Sequence, residues 1–455
     1  MEFILVIESN QPGQLNTEIT PPQEENQDIR ILLDRMQDKG NRTSSLGLEF
    51  ADDLARIAIS AWTDKGIEVL LVTSAHTTTE VRSELAKPYA DLVEPRWSKG
   101  SLSSYLLEEH IPDPNRTYRQ LKATLDGLID FADDPIASDV VCCWIIGTYV
   151  YKMFDAYPYL GVMGPGGSAK TKLADVIKSV SFNPISTDSI TTAQLFRSVD
   201  VTGGTLILDE QESLATGFSN GDQLAILRGG YKRGGNVLRS REVSGDYTTR
   251  KFSTYSPKVL INTTGMEDLL AARCIAIHML RSTGSQGKAI IAGSADQLGF
   301  VRDELYCLAL ENFQAIRLTY QDPDFAPDLN NRQRERWLPI LSIAKKACPE
   351  RLADLEAEAN KDTGSTFLSD PLDAGFLNVL DGLVDRPTVE LSTHEIGLQM
   401  MIALELDYPV RSSKVGRLIR KYLGKVGRRS GKQGGNRYTI TRDQVDKLQR
   451  LYPPD

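Results

Sequence analysis

Tyr159-Leu160-Gly161-Val162-Met163-Gly164-Pro165-Gly166-Gly167-Ser168-Ala169-Lys170-Thr171 is an apolar run that breaks into a glycine-rich turn and ends on a lysine and a threonine. A helical apolar pattern follows through Leu173, Val176 and Ile177. Strand, glycine loop and helix in this order are what a phosphate loop requires. Glycines let backbone N–H groups curl around phosphate oxygens, and the helix N-terminus adds partial positive charge. Gly164, Pro165, Gly166, Gly167, Ser168 and Ala169 would form the cradle, Lys170 would reach the β and γ oxygens of ATP, and Thr171 would ligate Mg2+. The spacing is G-x4-A-K-T, so Ala169 stands where glycine is usual, and its Cβ bears on loop tilt or on nucleotide affinity. Standing alone, the string also fits a glycine-rich connection.

The next apolar run outward, Thr205-Leu206-Ile207-Leu208-Asp209-Glu210, is a strand candidate ending in two acids. Such a strand would deliver Asp209 to the Mg2+ shell and Glu210 to a place where it polarises an attacking water. A strand entering an acidic turn is the plainer alternative, weakened by the phosphate loop upstream. A third run, Lys258-Val259-Leu260-Ile261-Asn262, ends on a polar residue. Strand ends of a parallel sheet line one crevice, so Asn262 would stand beside Asp209 and orient the water; asparagine is also a common turn former. Between Leu269 and Arg281, Arg273 falls between a helix end and an apolar strand, where it would act as an arginine finger in a neighbouring subunit's site.

Taken in order, Trp144-Ile145-Ile146-Gly147-Thr148-Tyr149, Tyr157-Pro158-Tyr159-Leu160, the glycine loop, Leu195-Phe196-Arg197, Gly204 through Glu210, Pro257-Lys258-Val259 and Ala272-Arg273-Cys274-Ile275 resemble a known core. It is the AAA+ ATPase core of replicative helicases and primase-helicases of phages, plasmids and other mobile elements, which are similar to superfamily 3 and minichromosome-maintenance helicases. The resemblance runs roughly from residue 117 to 345, about half the chain. It implies a ring, commonly a hexamer, with ATP between subunits. It also implies a second arginine touching the γ-phosphate from a helical lid. Arg332, Arg334 and Arg336 are the candidates and Arg332 is the first choice, against the alternative of a solvated helix face.

Too many residues separate the Asp209 strand from the Asn262 strand for a simple crossover. Within them, alternating runs flank Ser244-Gly245-Asp246, which is a hairpin signal. Seven basic residues lie between Arg228 and Lys251 against Glu242 and Asp246. A basic hairpin in this slot resembles the pore hairpin of the related helicases, which grips the phosphates of one strand. Lys232, Arg233, Arg239 and Arg241 are the expected contacts, although Arg239 would equally suit ATP in trans and charges also guard exposed strand edges.

The last 85 residues read as helix (Thr393 to Leu404), turn, helix (Ser412 to Leu423), a Gly-rich basic stretch, a strand (Asn436 to Thr441) and a final helix. That is the winged-helix order. Val415, Leu418, Ile419 and Tyr422 would face inward, while Lys414, Arg417, Arg420 and Lys421 meet duplex phosphates and Arg428, Arg429 and Lys432 lie on the wing. Winged helices also serve as protein contacts.

The chain has 455 residues, enough for about three domains, and 52 Lys plus Arg against 61 Asp plus Glu give a net charge of −9. That figure argues against a chain that coats nucleic acid everywhere. It is an average: Arg411 to Arg450 hold thirteen Lys/Arg and two Asp, a net of +11, which leaves −20 on the remainder. Cys142, Cys143, Cys274, Cys307 and Cys348 form no CxxC pair and read as reduced core thiols. His76, His110, His278 and His394 show no metal-ligand spacing. No apolar run is long enough to span a bilayer and Met1-Glu2-Phe3-Ile4 lacks a signal peptide's basic start, so a cytoplasmic protein with no membrane contact is expected.

The expected fold class is α/β: a P-loop AAA+ core with a parallel sheet, a helical lid, a small N-terminal α/β domain and a C-terminal winged helix-turn-helix. The expected domains are 1–115, in which residues 1 to about 30 read as a polar linker or arm and helical patterns such as Leu54 to Trp62 follow; 116–290, the ATPase core; 291–370, the lid and connector; and 371–455, the winged helix. No catalytic primase acids stand out before residue 115. Two functions compete: a ring-shaped, Mg2+-dependent ATPase that unwinds DNA in replication of a mobile element, with single-stranded DNA in its pore and replication proteins as partners, and an ATP-switched initiator or loader that binds DNA without unwinding it.

Overall fold

The computed structural model describes residues 4–7, 17–20, 46–51, 53–63, 66–81, 83–131, 134–164, 167–187, 190–209, 221–243, 246–262, 268–279, 291–362, 371–423, 428–430 and 434–451. Its strands in chain order are β1 (Ile4–Ile7), β2 (Thr17–Thr20), β3 (Leu48–Phe50), β4 (Ala55–Thr63), β5 (Gly66–Thr73), β6 (Thr78–Glu80), β7 (Tyr159–Met163), β8 (Ile185–Thr187), β9 (Leu206–Leu208), β10 (Asn236–Val243), β11 (Asp246–Ser253), β12 (Lys258–Asn262), β13 (Cys274–His278), β14 (Thr388–Ser392), β15 (Arg428–Ser430) and β16 (Gly434–Thr441). Residues Met1–Asp362 form one compact unit and Thr363–Asp455 a second.

Five parallel strands, in the order β13-β7-β12-β9-β8, carry the first unit. Parallel neighbours need crossovers, and the helices Lys170–Val180 and Thr192–Thr202 supply two of them. Strands covered on both faces read as unbroken apolar runs. That is why buried Leu160, Val162, Ile207, Val259 and Ile261 marked their strands in the sequence, while the three-residue edge strand β8 left no such signal. The aromatic residues of 144–159 lock the start of β7. Trp144 Nε1 donates to the Pro158 carbonyl, the Tyr157 hydroxyl to the Trp144 carbonyl and the Tyr159 hydroxyl to the Leu227 carbonyl, each at 2.7 Å.

Leu54 to Trp62, expected as helical, is a strand: β4 pairs antiparallel with β5 within a four-stranded sheet ordered β3-β4-β5-β6. The reason is burial on both faces. Ile57 and Ile59 enter the main core, whereas Ala58 packs with Val69, Leu71, Val81 and Tyr89 in a separate cluster. A short run that is apolar on both sides carries no period to tell strand from helix. The main core also takes in Leu48, Trp97, Leu121, Val141, Tyr306 and Ile340, so packing continues through residue 115. Within the stretch expected as linker, Thr17–Thr20 pairs with Ile4–Ile7.

Helices Ala295–Gln321, Asn331–Ala347 and Leu352–Lys361 lie in the same core against Pro114–Leu128 and Ala137–Gly147. Asp139 joins them: it accepts from the Tyr118 hydroxyl, from Lys122 Nζ at 3.0 Å and from Arg351 Nη2 at 2.7 Å. All five cysteines are free and buried, Cys143 and Cys348 with their sulfurs 3.6 Å apart.

The second unit runs helix Pro371–Leu383, β14, helix Thr393–Ala403, helix Ser412–Leu423, β15, β16 and helix Arg442–Leu451. Its antiparallel sheet has the order β14-β16-β15. Val415, Leu418 and Ile419 are buried in its own core with Phe376, Ile396, Tyr438 and Ile440.

Candidate nucleotide site and nucleic-acid interface

Parallel strands all end on one edge, and the glycine loop leaves that edge. Asn262 pairs with Met163, His278 pairs with Met163 on the other side, and Leu208 pairs with Leu260. Asp209, next after Leu208, is thereby delivered to the same crevice. The Thr171 hydroxyl donates to Asp209 Oδ2 at 3.0 Å. Lys170 is buried and its ammonium donates to the Gly164 carbonyl at 2.7 Å. Gly164 passes so close to the Met279 carbonyl that a Cβ there would collide with it.

Gly167 and Ala169 both adopt positive φ, 79° and 63°. The turn into the helix thus demands the left-handed conformation at the position where glycine is usual, and Ala169 adopts it against its Cβ, at about 1–2 kcal/mol. Ser168 Oγ is buried without a hydrogen-bond partner among the described residues. An orphan hydroxyl inside a glycine loop is a polar group waiting for a ligand oxygen. Thr171 and Asp209 offer two hard oxygen donors side by side, a set that suits Mg2+. The residues present therefore fit both a nucleotide phosphate and its metal. Pro165, Gly166 and Glu210 lie outside the described residues, and Asn262 is placed by its backbone alone.

Arg273 stands at the opposite edge of the sheet. Its carbonyl accepts from the Tyr159 amide, at the start of β7. Its guanidinium donates to the carbonyls of Arg228, at 2.8 Å, and Leu269, over the Tyr231 ring. A five-residue strand spans about 13 Å, so Arg273 does not reach the loop of its own chain. Arg332 lies on that same side: in the first turns of its helix, Arg336 donates to the Ala272 carbonyl and Glu335 accepts from Lys232 at 2.7 Å. Arg336 is buried against Asp362, and Arg334 donates to the carbonyls of Phe325 and Ala326, which leaves Arg332 as the exposed member of the three.

Between β9 and β12, β10 and β11 form the expected hairpin, in register from Asn236↔Ser253 to Val243↔Asp246. Two of its expected contacts are elsewhere. Lys232 bridges to Ala156 and pairs with Glu335, and Arg233 donates to the carbonyls of Phe154 and Lys152. Both precede the hairpin and fasten its base. Arg239 lies over the Phe196 ring and 4.0 Å from Asp222, and Arg241 is placed on β10 by its backbone alone.

Sequence reasoning passed over Lys258, the first residue of β12. Its ammonium is fully buried and donates to the carbonyls of Gly230, Thr254 and Ser256 and to the Ser256 hydroxyl, at 2.9 to 3.3 Å, above the Tyr159 ring. Burial pushes it down to about 7 against those four acceptors. The lysine ties both feet of the hairpin to the strand that ends in Asn262. A lysine opening an apolar run was the available signal.

In the second unit Arg417 is exposed and Lys414 half-buried on the outer side of their helix. Arg420, Lys421, Arg428 and Arg429 are placed by backbone alone, and Lys432 lies outside the described residues.

A five-stranded parallel sheet with a glycine loop at its carboxyl edge and a threonine–aspartate pair beside it defines a P-loop-like α/β protein. No family model matches the chain and no curated protein matches it. Among solved structures it is similar to the SCCmec type IV Cch active helicase, over 93% of this chain and 84% of that one, at 12% identity and a TM-score of 0.44. The apo C-terminal region of NrS-1 matches over 73% of this chain and 76% of that one, at 12% identity and a TM-score of 0.32. The JCV helicase matches over 60% and 82%, at 13% identity and a TM-score of 0.22. Overlap this loose supplies no residue correspondence. Among the described residues no helix is long and apolar enough to cross a membrane, and no group of three or more His, Cys, Asp or Glu could hold a metal.

Proposed function

We propose that this chain is a Mg2+-dependent ATPase that acts as a ring-shaped DNA helicase or translocase in the replication of a mobile element, in the AAA+ manner. The observation that carries the reading is the hydrogen bond from Thr171 to Asp209 beside the glycine loop. Lys170 leaves the Gly164 carbonyl for the β and γ oxygens of ATP, Ser168 and the loop amides bind phosphate, and Thr171 with Asp209 holds the metal. When bound, Mg2+ supplies charge neutralisation across those oxygens. Glu210 accepts the proton of the attacking water, and Asn262 orients that water. Arg273, on the far edge of the sheet, and the exposed Arg332 serve the site of the next subunit, which makes the oligomer, a hexamer by the resemblance, part of the active site.

The basic hairpin takes one DNA strand, and the second unit, read as a winged helix, takes duplex through Lys414, Arg417, Arg420, Lys421, Arg428, Arg429 and Lys432. Lys170→Ala should reduce ATP turnover to background while the protein remains folded. On a forked duplex the wild type should separate the strands only with ATP. Arg417, exposed on the outer side of its helix in the second unit, favours one alternative, an ATP-switched initiator or loader. Hydrolysis with an intact fork would establish that alternative and sink the motor.

A further inference from the structure

Residues directly opposite in an antiparallel pair share a face, so the register divides the hairpin. One face carries Val237, Arg239, Arg250 and Phe252 and is turned to the helix Thr192–Thr202. Phe252 packs on Phe196 with ring centroids 4.9 Å apart, Arg239 covers the Phe196 ring, and Arg250 pairs with Asp200 at 3.2 Å. Arg239 and Arg250 are thereby committed to the protein, and Arg241 shares that face by its backbone register. The opposite face carries Leu238, Ser240, Tyr247, Thr249 and Lys251. Leu238 is 60% exposed and Tyr247 76% exposed. Tyr247 makes no hydrogen bond or ring contact among the described residues, and Lys251 is exposed.

We infer that this outer face is a stacking platform for single-stranded nucleic acid, with Tyr247 beneath an unpaired base, Leu238 as a second apolar step and Lys251 on a phosphate. The inference rests on the nucleic-acid reading proposed above and changes which residues perform it. An isolated two-stranded ribbon gains little by holding a leucine and a tyrosine in water. Lys251 is the exposed cation among the described side chains of this face, and its complement is an anionic group such as a phosphate. Duplex hides its base faces, whereas a single strand offers both phosphate and base to a face bearing an aromatic ring and a lysine. Tyr247 and Lys251 lie four residues apart on one strand, about 13 Å, so they meet different nucleotides.

The test is fluorescence anisotropy of the full chain with labelled oligothymidylate and with an abasic oligonucleotide of equal length. The wild type should prefer the strand with bases. Tyr247→Ala should weaken oligothymidylate by about 5- to 100-fold and leave the abasic strand unchanged, whereas Tyr247→Trp should retain the preference. Lys251→Ala should weaken both strands alike and reduce the salt dependence. Wild-type affinity for oligothymidylate in Tyr247→Ala overturns the inference and leaves the nucleic-acid reading standing. So does a change of native mass in that variant, which would assign the tyrosine to subunit contact. Failure of the wild type to bind either strand overturns the nucleic-acid reading itself.

Discussion

At the scale of single residues, Ala169 and Lys258 each hold a conformation or a charge that their surroundings oppose. Ala169 adopts a backbone that glycine takes freely. Ala169→Gly should therefore stabilise the chain by about 0.5–1 kcal/mol in urea unfolding, the relief of strain being partly offset by the greater freedom of glycine when unfolded; a loss of stability would show that the half-buried methyl matters more. Lys258 titrates near 7 when folded and at its ordinary, higher value when unfolded. Above pH 7 the unfolded chain binds the extra proton, so stability rises with pH from there toward the unfolded value, and below 7 the full penalty of a buried ammonium is present. Against Lys258→Met, the wild type should gain about 2 kcal/mol between pH 7 and 9. A flat difference across that range would mean that the four acceptors hold the ammonium charged.

Elements explain why the sites were legible in different degrees. The glycine loop, β9, β12 and the hairpin could be read because each is local: apolar runs bounded by turn residues, with chemistry at fixed offsets. Lys232 and Arg233 could not be assigned from sequence, because their partners Glu335, Phe154 and Lys152 are distant in the chain. The helix Ser412–Leu423 repeats apolar residues at three and four, and its inward side was plain for the same local reason. Its outward Arg417 is exposed. Arg417→Ala should weaken duplex binding uniformly across sequences and lower the slope of log affinity on log salt by about 1. An unchanged slope would remove this helix from the phosphate contacts.

For the whole molecule, the parallel sheet places Lys170, Thr171 and Asp209 on one edge and Arg273 on the other. A site needing both sets is completed only between chains. Arg273→Ala should lower turnover about 10^3-fold or more. Mixing that variant with Lys170→Ala should restore activity, since one interface then joins an intact loop to an intact arginine. Failure of the mixture to exceed its components would place the arginine outside the ATP site, where its bonds to the Arg228 and Leu269 carbonyls would be its role.

The sequence by itself determined the strand–loop–helix around the glycine loop, the acidic strand end, the inserted hairpin and the uneven charge, because those depend on neighbours in the chain. Tertiary structure alone decided that Leu54 to Trp62 is a strand covered on both faces, that Lys232 and Arg233 bond to Glu335, Phe154 and Lys152 at the base of the hairpin, and that Lys258 is enclosed. In each case the deciding atoms come from remote segments. A residue's type limits which contacts it can form, and the packing of the chain selects among them.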